Sequence, residues 1–217
     1  MDEAWSEIQS AEDLEHFLKD KPAEWAQVIA TRAALRAFPL ALGAVDRAPK
    51  EIFGVHKSFI LSTFRACFIA WAASQYRQEN LAFASEMAAE HASFLATEIQ
   101  NMSGGAQLAY VADAAVAAAD AVGGKQNTVR HAYASATLAY LNSRASLGRE
   151  AAVIERRAID ADCRELVSAH DESINGKPLW LLDVRGSSAY LANIPLWARA
   201  PFDTLRKATL LRMDLGA

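Results

Sequence analysis

The feature that most constrains this chain is a series of alanine-rich segments separated by glycines. Residues 106–122 contain nine alanines in seventeen positions, and glycine pairs stand on either side at 104–105 and 123–124. Alanine has the highest intrinsic helix propensity, and glycine is typical of the position just after a helix C-terminus. Small side chains let neighbouring helices approach closely. The pattern therefore predicts a bundle of tightly packed helices.

Proline, glycine and capping residues predict where the other helices begin and end. Helices are expected over 11–19, 22–38, 49–76, 78–102, 106–122, 127–146 and 149–170. Ser10, followed by two acids, is typical of an N-cap, and Pro39 is expected to end or kink the second helix. No segment shows a convincing alternation with a period of two residues. We predict an all-α fold, a multi-helix bundle of antiparallel helix pairs with an irregular C-terminal segment packed on it.

The length of 217 residues is sufficient for one large domain with a sizeable core. We predict a single helical domain over residues 1–217. Short N-terminal helices are expected in 1–21, the helical core in 22–171, and a loop and helix in 172–217. A repeat solenoid is the less favoured alternative, because the segments between the glycine pairs are not self-similar.

Charge and cysteine content limit the partners and the compartment. The net charge is −4, with 22 basic and 26 acidic residues, which gives no electrostatic reason to expect nucleic acid or anionic lipid as a partner. Cys67 stands among apolar residues and is expected to be buried, whereas Cys163 lies in a charged run and is expected to be exposed. Two cysteines do not make a disulfide framework, and no secretory signal is visible at the start. A cytoplasmic location is therefore expected.

The most hydrophobic segment, Ser58–Ala73, is predicted to be a core helix surrounded by the others. It is shorter than a membrane-spanning helix needs, and Arg65 stands in its middle. Its guanidinium requires either a carboxylate partner, for which Glu86 or Glu90 is the candidate, or access to water along its flexible side chain. The alternative is that Arg65 binds the anionic group of a ligand. A peripheral membrane or pore-forming protein that uses this segment is the weakest functional alternative.

Neither catalysis nor cofactor binding is predicted from local patterns. No nucleophile signature is present, and the five histidines do not have the spacing that places two ligands on one helix face. Glu86 and Glu90 could bind a metal only together with the distant His131. The favoured interpretation of these two glutamates is a solvated helix face. We therefore expect no catalytic residue, no cofactor and no metal site.

Three stretches carry a resemblance to a group of proteins. They are "VIATRAALRAFPLALGA" at 28–44, "AIDADCREL" at 158–166 and "LANIPLW" at 191–197. In this order they resemble segments of a loose group of uncharacterised alanine-rich helical proteins from bacteria. The resemblance implies a bacterial, helical, intracellular protein and implies no catalytic residue. The Pro-Leu-Trp at 178–180 is additional to the pattern of that group.

These observations favour a non-catalytic interaction or adaptor protein that binds a protein partner or a second copy of itself. Trp180, Tyr190 and Trp197 are the candidate interaction residues, because tryptophan and tyrosine combine a large apolar area with one polar group. The alternative is an enzyme whose site is assembled from residues distant in sequence.

Truncation of the two tryptophans that follow the prolines is expected to have unequal effects. Trp197→Ala should lower the free energy of unfolding by roughly 3–5 kcal/mol, because we expect this side chain to be buried. Trp180→Ala should lower the free energy of unfolding by less, because we expect the additional Pro-Leu-Trp to lie at the rim of the fold. Chemical denaturation together with sizing chromatography measures both effects. If Trp197→Ala unfolds like the wild type but loses assembly, the segment is an interface instead.

Overall fold

The computed structural model describes residues 8, 10–46, 53–76, 81–101, 105–122 and 128–169. These residues form seven helices and no strand, which confirms the all-α prediction for this part of the chain. The helices are α1 (Ala11–Lys19), α2 (Ala23–Asp46), α3 (Phe53–Gln75), α4 (Ala82–Gln100), α5 (Gly105–Val122), α6 (Thr128–Leu147) and α7 (Arg149–Ala169). Apart from the end of α2, their bounds agree with the expected ones to within about one helical turn.

Helix α5 lies at the centre of the bundle. It packs against α2, α3, α4 and α6, while α2 also packs against α3, α6 and α7. Helix α1 lies mainly on α6, and α7 lies on α6 and α2. Consecutive helices from α2 to α7 are neighbours, as expected of short connections in a helical bundle. One hydrophobic cluster includes residues of all seven helices.

The central position of α5 follows from its alanines. Those at 109, 112, 114, 115, 117, 118, 119 and 121 are all buried. They occur on most sides of α5, whereas Asp113, Val116 and Asp120 form a partly exposed stripe along it. Because an alanine extends little beyond the backbone, four other helices can pack around α5 at short range. The alanine-rich composition of this segment thus produces a surrounded helix.

Two serine hydroxyls connect the packed helices. Ser85 Oγ, in the first turn of α4, donates to the carbonyl oxygen of Ala119 at 2.7 Å, near the end of α5, so the two helices are antiparallel. Ser135 Oγ on α6 lies 2.9 Å from the carbonyl oxygen of Ala30 and 3.0 Å from that of Ala114. Both hydroxyls are therefore satisfied inside the core, as buried polar groups generally must be.

The predicted N-cap of α1 and the predicted glycine break after α6 are both confirmed. The Ser10 side chain accepts from the Asp13 backbone N–H at 3.1 Å, and the Asp13 carboxylate accepts from the Ser10 N–H at 2.8 Å. This reciprocal pair satisfies two backbone donors that the helix itself cannot pair. Gly148 has φ of +91°, a conformation that side chains other than glycine rarely adopt, and it separates α6 from α7.

The expectation that Pro39 ends the helix near Phe38 is wrong, because α2 continues through it to Asp46. The alternative, a kink at this position, stays a prediction. Proline inside a helix removes one hydrogen bond and costs about 3 kcal/mol. Phe38, Leu40 and Ala41 around it are all buried. Packing of this stretch against the neighbouring helices offsets the lost hydrogen bond, so tertiary contacts override the local signal.

The prediction of a fully surrounded α3 is also wrong. Its side facing the bundle, which includes Phe59 and Cys67, is buried, but Leu61 is 58% exposed and Phe68 is 50% exposed. Helix α3 therefore lies at the surface, with apolar residues on both its buried side and its solvent-exposed side. Among the described helices, none combines the length and the apolar character needed to cross a membrane.

The single-domain prediction concerns residues that the structure does not describe as well as those it does. The described helices share one core. The C-terminal segment 172–217, predicted to pack on the bundle, lies outside the described residues. Its packing stays a prediction.

Enlarging an alanine of α5 is expected to disrupt the close helix packing. Ala115→Leu, at a fully buried position, should lower the free energy of unfolding by about 1–3 kcal/mol because the added atoms have no space. Ala145→Leu, at an exposed position of α6, is the control and should have little effect. Chemical denaturation of both variants measures the difference, and equal effects would contradict a tightly packed α5.

Candidate functional site

The structure describes only some of the predicted site residues. Trp180, Tyr190 and Trp197 lie outside the described residues. Arg65 is exposed, and Glu86 and Glu90 on α4 are exposed as well. Arg65 is thus open to water, which is one of the two arrangements expected for it. The buried residues of α3 lie on the opposite side of the helix, so the guanidinium of Arg65 is in water and requires no internal partner.

The metal site considered for Glu86, Glu90 and His131 is not assembled either. The two glutamates lie on α4 and the histidine on α6, and these two helices make no contact with each other in the described part of the chain. Across the described ranges, no group of three or more histidine, cysteine or acidic side chains is placed to hold a metal ion.

A buried cluster of charged residues instead joins α2 to α7. Arg32 and Arg36 stand one turn apart on α2, and Glu155 and Asp162 stand two turns apart on α7. Of these side chains, Arg36 and Glu155 are fully buried, and Asp162 is 8% exposed. We call these four residues the α2–α7 ion cluster. Burial of this much charge is rare unless the groups are paired.

The two arginines share one carboxylate. Arg32 Nε lies 2.9 Å from Asp162 Oδ1, as an ion pair without the alignment of a hydrogen bond. Arg36 Nη2 donates to Asp162 Oδ2, and it also lies 3.5 Å from the carbonyl oxygen of Ala158. Asp162 therefore bridges both guanidinium groups and fixes α7 against α2. Contacts of this kind combine charge attraction with directional donors.

Glu155 is held less closely than Asp162. Its Oε1 lies 3.8 Å from Arg36 Nη1, too long for a hydrogen bond, and neither of its oxygens accepts one within the described residues. Burial raises the pKa of Glu155 from 4.5 to about 7, the nearby Arg36 charge lowers it in part, and Asp162 raises it further. The carboxyl group is therefore partly protonated near neutral pH, which reduces the cost of burying it.

Two further residues of α7, Asp160 and Cys163, are also buried. Asp160, 3% exposed, accepts a hydrogen bond from the Ile8 backbone N–H at 2.9 Å and another from Arg164. Cys163 is fully buried, so its expected exposure is wrong. Burial raises the pKa of the Cys163 thiol well above its usual value, and the charges of Asp162 and Asp160 add to this. Cys163 is thus held as a neutral thiol, which is a poor nucleophile.

The thiol of Cys67, on α3, is also kept neutral. The residue is fully buried, as predicted. Burial raises the pKa of this thiol from 9.0 to about 12. Both cysteines are therefore apolar packing groups rather than reactive ones.

Sequence reasoning did not predict the α2–α7 ion cluster, although signals for it are present. Arg32 and Arg36 are four residues apart, and Glu155 and Asp162 are seven apart, so each pair lies on one side of its helix. Neither pair indicates burial, because charged residues at such spacing usually lie on a solvated face. Only the packing of α7 on α2 brings them together.

The second unusual feature is a row of apolar side chains along the outer side of α3. Leu61, Phe64, Phe68 and Trp71 follow one another at helical spacing, and we call them the α3 aromatic stripe. Phe64 and Phe68 are stacked with ring centroids 5.9 Å apart, and Phe68 lies 5.7 Å from Trp71. Leu61, Phe64 and Phe68 are 58%, 46% and 50% exposed, so the row is accessible to solvent.

Contacts at its inner edge order the stripe. The Phe64 ring also lies 5.5 Å from the ring of Phe38, which is buried on α2. A continuous series of ring contacts therefore runs from the core to the exposed surface. Lys57 and Arg65, both exposed, lie on the same helix. The stripe is consequently an ordered apolar surface accompanied by positive charge.

The chain matches no protein-family model, no curated protein and no solved structure. The geometry described above is therefore the basis for any functional conclusion.

Glu155 is expected to make stability depend on pH. Because its pKa is raised in the folded state, the folded protein binds this proton more tightly than the unfolded chain does. Its contribution should be fully present below about pH 4.5 and lost as the pH rises through about 7. This contribution to the free energy of unfolding is on the order of a few kcal/mol, because each pKa unit corresponds to about 1.4 kcal/mol.

The measurement is the free energy of unfolding of wild type minus that of Glu155→Gln, from pH 4 to pH 8 in steps of about one pH unit. Glu150→Gln, at an exposed position in the first turn of the same helix, controls for the removal of one carboxylate. Parallel curves for wild type and Glu155→Gln would contradict a raised pKa for Glu155.

Proposed function

We propose that this protein is a non-catalytic interaction or adaptor protein and that it binds a partner through the α3 aromatic stripe. The observation that carries the proposal is the exposure of Leu61, Phe64 and Phe68 in one row. A contiguous exposed apolar patch is typical of an interaction surface, and aromatic residues are enriched at the centre of such surfaces.

The energetics of the stripe favour binding. Burial of apolar surface contributes about 25 cal/mol per Å², and aromatic side chains supply the largest areas. The rings of Phe64 and Phe68 are already held by their neighbours Phe38 and Trp71. A partner that covers them would therefore lose little side-chain entropy on this side of the interface, and preorganisation of this kind increases affinity.

The chemistry of the stripe indicates the kind of partner. Its apolar residues follow one ridge of a helix, a shape that packs well against a second amphipathic helix. Lys57 and Arg65 are exposed on the same helix. We therefore propose a partner helix with an apolar face bordered by aspartate or glutamate, because opposite charges at the rim orient the two surfaces and accelerate association.

The α2–α7 ion cluster is the one observation that would favour an enzyme, since it assembles residues far apart in sequence. Arg36 and Asp162, for example, are 126 positions apart. The side chains of Arg36 and Glu155 are fully buried, and both arginines contact Asp162. A group that is occupied by an internal partner and buried does not contact substrate. We therefore assign the cluster to fixing α7 on α2, and favour the interaction function.

The test uses a photo-crosslinking amino acid placed at position 68 in cells that naturally produce the protein. The same amino acid at position 83 is the control, because Phe83 is also an exposed phenylalanine, at 74%, but lies on α4. We expect a partner adduct from position 68 and not from position 83.

Binding of the purified partner then gives the quantitative result. Phe68→Ser is expected to weaken binding at least about tenfold, corresponding to about 1.4 kcal/mol, and Phe83→Ser to change it by less than about twofold. Circular dichroism and thermal melting confirm that both variants fold. Equal effects of the two substitutions would refute the stripe as the binding surface. An adduct with a second copy would instead assign the stripe to self-association, and one with residues 170–217 of the same chain would make it an internal contact.

A further inference from the structure

Helix α7 is attached to the bundle by an unusually polar contact. It packs on α6 and α2 and does not touch the central helix α5 within the described part of the chain. Nine of its residues are buried, and three of these are acidic: Glu155, Asp160 and Asp162. Segments that are held by few apolar contacts open locally before a protein unfolds as a whole. Helix α7 is therefore suited to separate from the bundle on its own.

Glu155 is the weakest part of this contact. Its side chain is fully buried, its Oε1 lies 3.8 Å from Arg36 Nη1, and neither of its oxygens accepts a hydrogen bond within the described residues. Arg36 Nη2 donates to Asp162 instead, and Arg32 also pairs with Asp162. Because both guanidinium groups are held by Asp162, the charge of an ionised Glu155 is poorly compensated at this place.

The other helix that packs against α7 does not supply the missing compensation. The charged residues of α6 are Arg130, His131 and Arg144. Among the described residues, none of these forms an ion pair with Glu155, so the nearby charges are Arg36 on α2 and Asp162 on α7 itself. Burial raises the pKa of the Glu155 carboxyl group from 4.5 to about 7, Arg36 lowers it in part, and Asp162 raises it further.

We propose that α7 is a proton-controlled latch, which separates locally from α2 when Glu155 loses its proton while the other described helices stay packed. Separation places the Glu155 carboxylate in water, where the ionised form is favoured. The closed form is therefore favoured while Glu155 is protonated, and this advantage is lost as the pH rises through about 7. The pairs of Asp162 with Arg32 and Arg36 hold the latch closed at mildly acidic pH.

Two buried cysteines distinguish local opening from global unfolding. Cys163 is fully buried on α7, next to Asp162 in the chain, and Cys67 is fully buried on α3. Opening of α7 exposes the thiol of Cys163 alone, whereas unfolding of the whole protein exposes both thiols. The latch does not involve the α3 aromatic stripe, so this proposal holds or fails independently of the adaptor function.

The test is the rate at which each thiol of the native, full-length protein reacts with dithiodipyridine, with the modified cysteine identified by mass spectrometry. The rates measured for the protein unfolded in denaturant at the same pH correct for the intrinsic reactivity of the thiols. At about pH 7.5, the corrected rate of Cys163 should exceed that of Cys67 at least about tenfold. At about pH 5.5, the corrected rate of Cys163 should be at least about tenfold lower, because opening linked to one proton changes by up to about tenfold per pH unit.

Substitution of Glu155 shows whether this residue is the one that titrates. Glu155→Gln keeps the shape of the side chain and cannot ionise, so the corrected rate of Cys163 should be the same at both pH values. Glu150→Gln, at an exposed position of the same helix, should respond to pH like the wild type. Circular dichroism verifies that both variants fold, and the comparison of the two thiols in the wild type does not depend on either variant.

Three results would overturn the proposal. If Cys163 and Cys67 react at equal corrected rates in the wild type at the higher pH, α7 opens only when the whole protein unfolds. If the corrected rate of Cys163 does not change with pH, opening is not linked to a proton. If Glu155→Gln retains the change with pH, Glu155 is not the group that controls the latch.

Discussion

The close packing of helices around the alanines of α5 is the constraint on which the rest of the structure depends. Four helices contact α5, and its buried positions are almost all alanine. At such short range, little volume remains between the helices for large side chains. Some aromatic side chains, such as Phe59, are buried all the same, but others are not. Several of them lie at the surface, and the exposed phenylalanines of α3 and α4 are the result.

The α3 aromatic stripe follows from this constraint. A core built from larger residues would take up Phe64 and Phe68, whereas here the inner side of α3 carries small residues such as Ala66 and Ala70, both fully buried. The rings on the outer side pack against one another and against Phe38 instead of against the centre of the bundle. This surface is the one proposed above to bind a partner.

Helix α7 is attached by a different kind of contact. It touches α6 and α2 but not the alanine-rich α5, and much of its contact with α2 consists of charged side chains. Separation of α7 from α2 would leave these buried charges without compensation, so the ion pairs penalise that rearrangement. Burial raises the pKa of Glu155, so we expect this attachment to respond to proton binding.

The sequence by itself determined the helical fold class, the approximate bounds of most helices, the N-cap at Ser10 and the break at Gly148. These features depend on propensities that act over a few neighbouring residues. The tertiary structure decided the continuation of α2 through Pro39, the burial of Arg36 and Cys163, and the exposure of Arg65 and Phe68. On α3, apolar residues occupy the solvent-exposed side as well as the buried side, so hydrophobic periodicity did not identify the side facing the core. On α2 and α7, charges that would normally face water meet across an interface. Which face of a helix is covered depends on helices that are distant in sequence, and no local pattern contains that information.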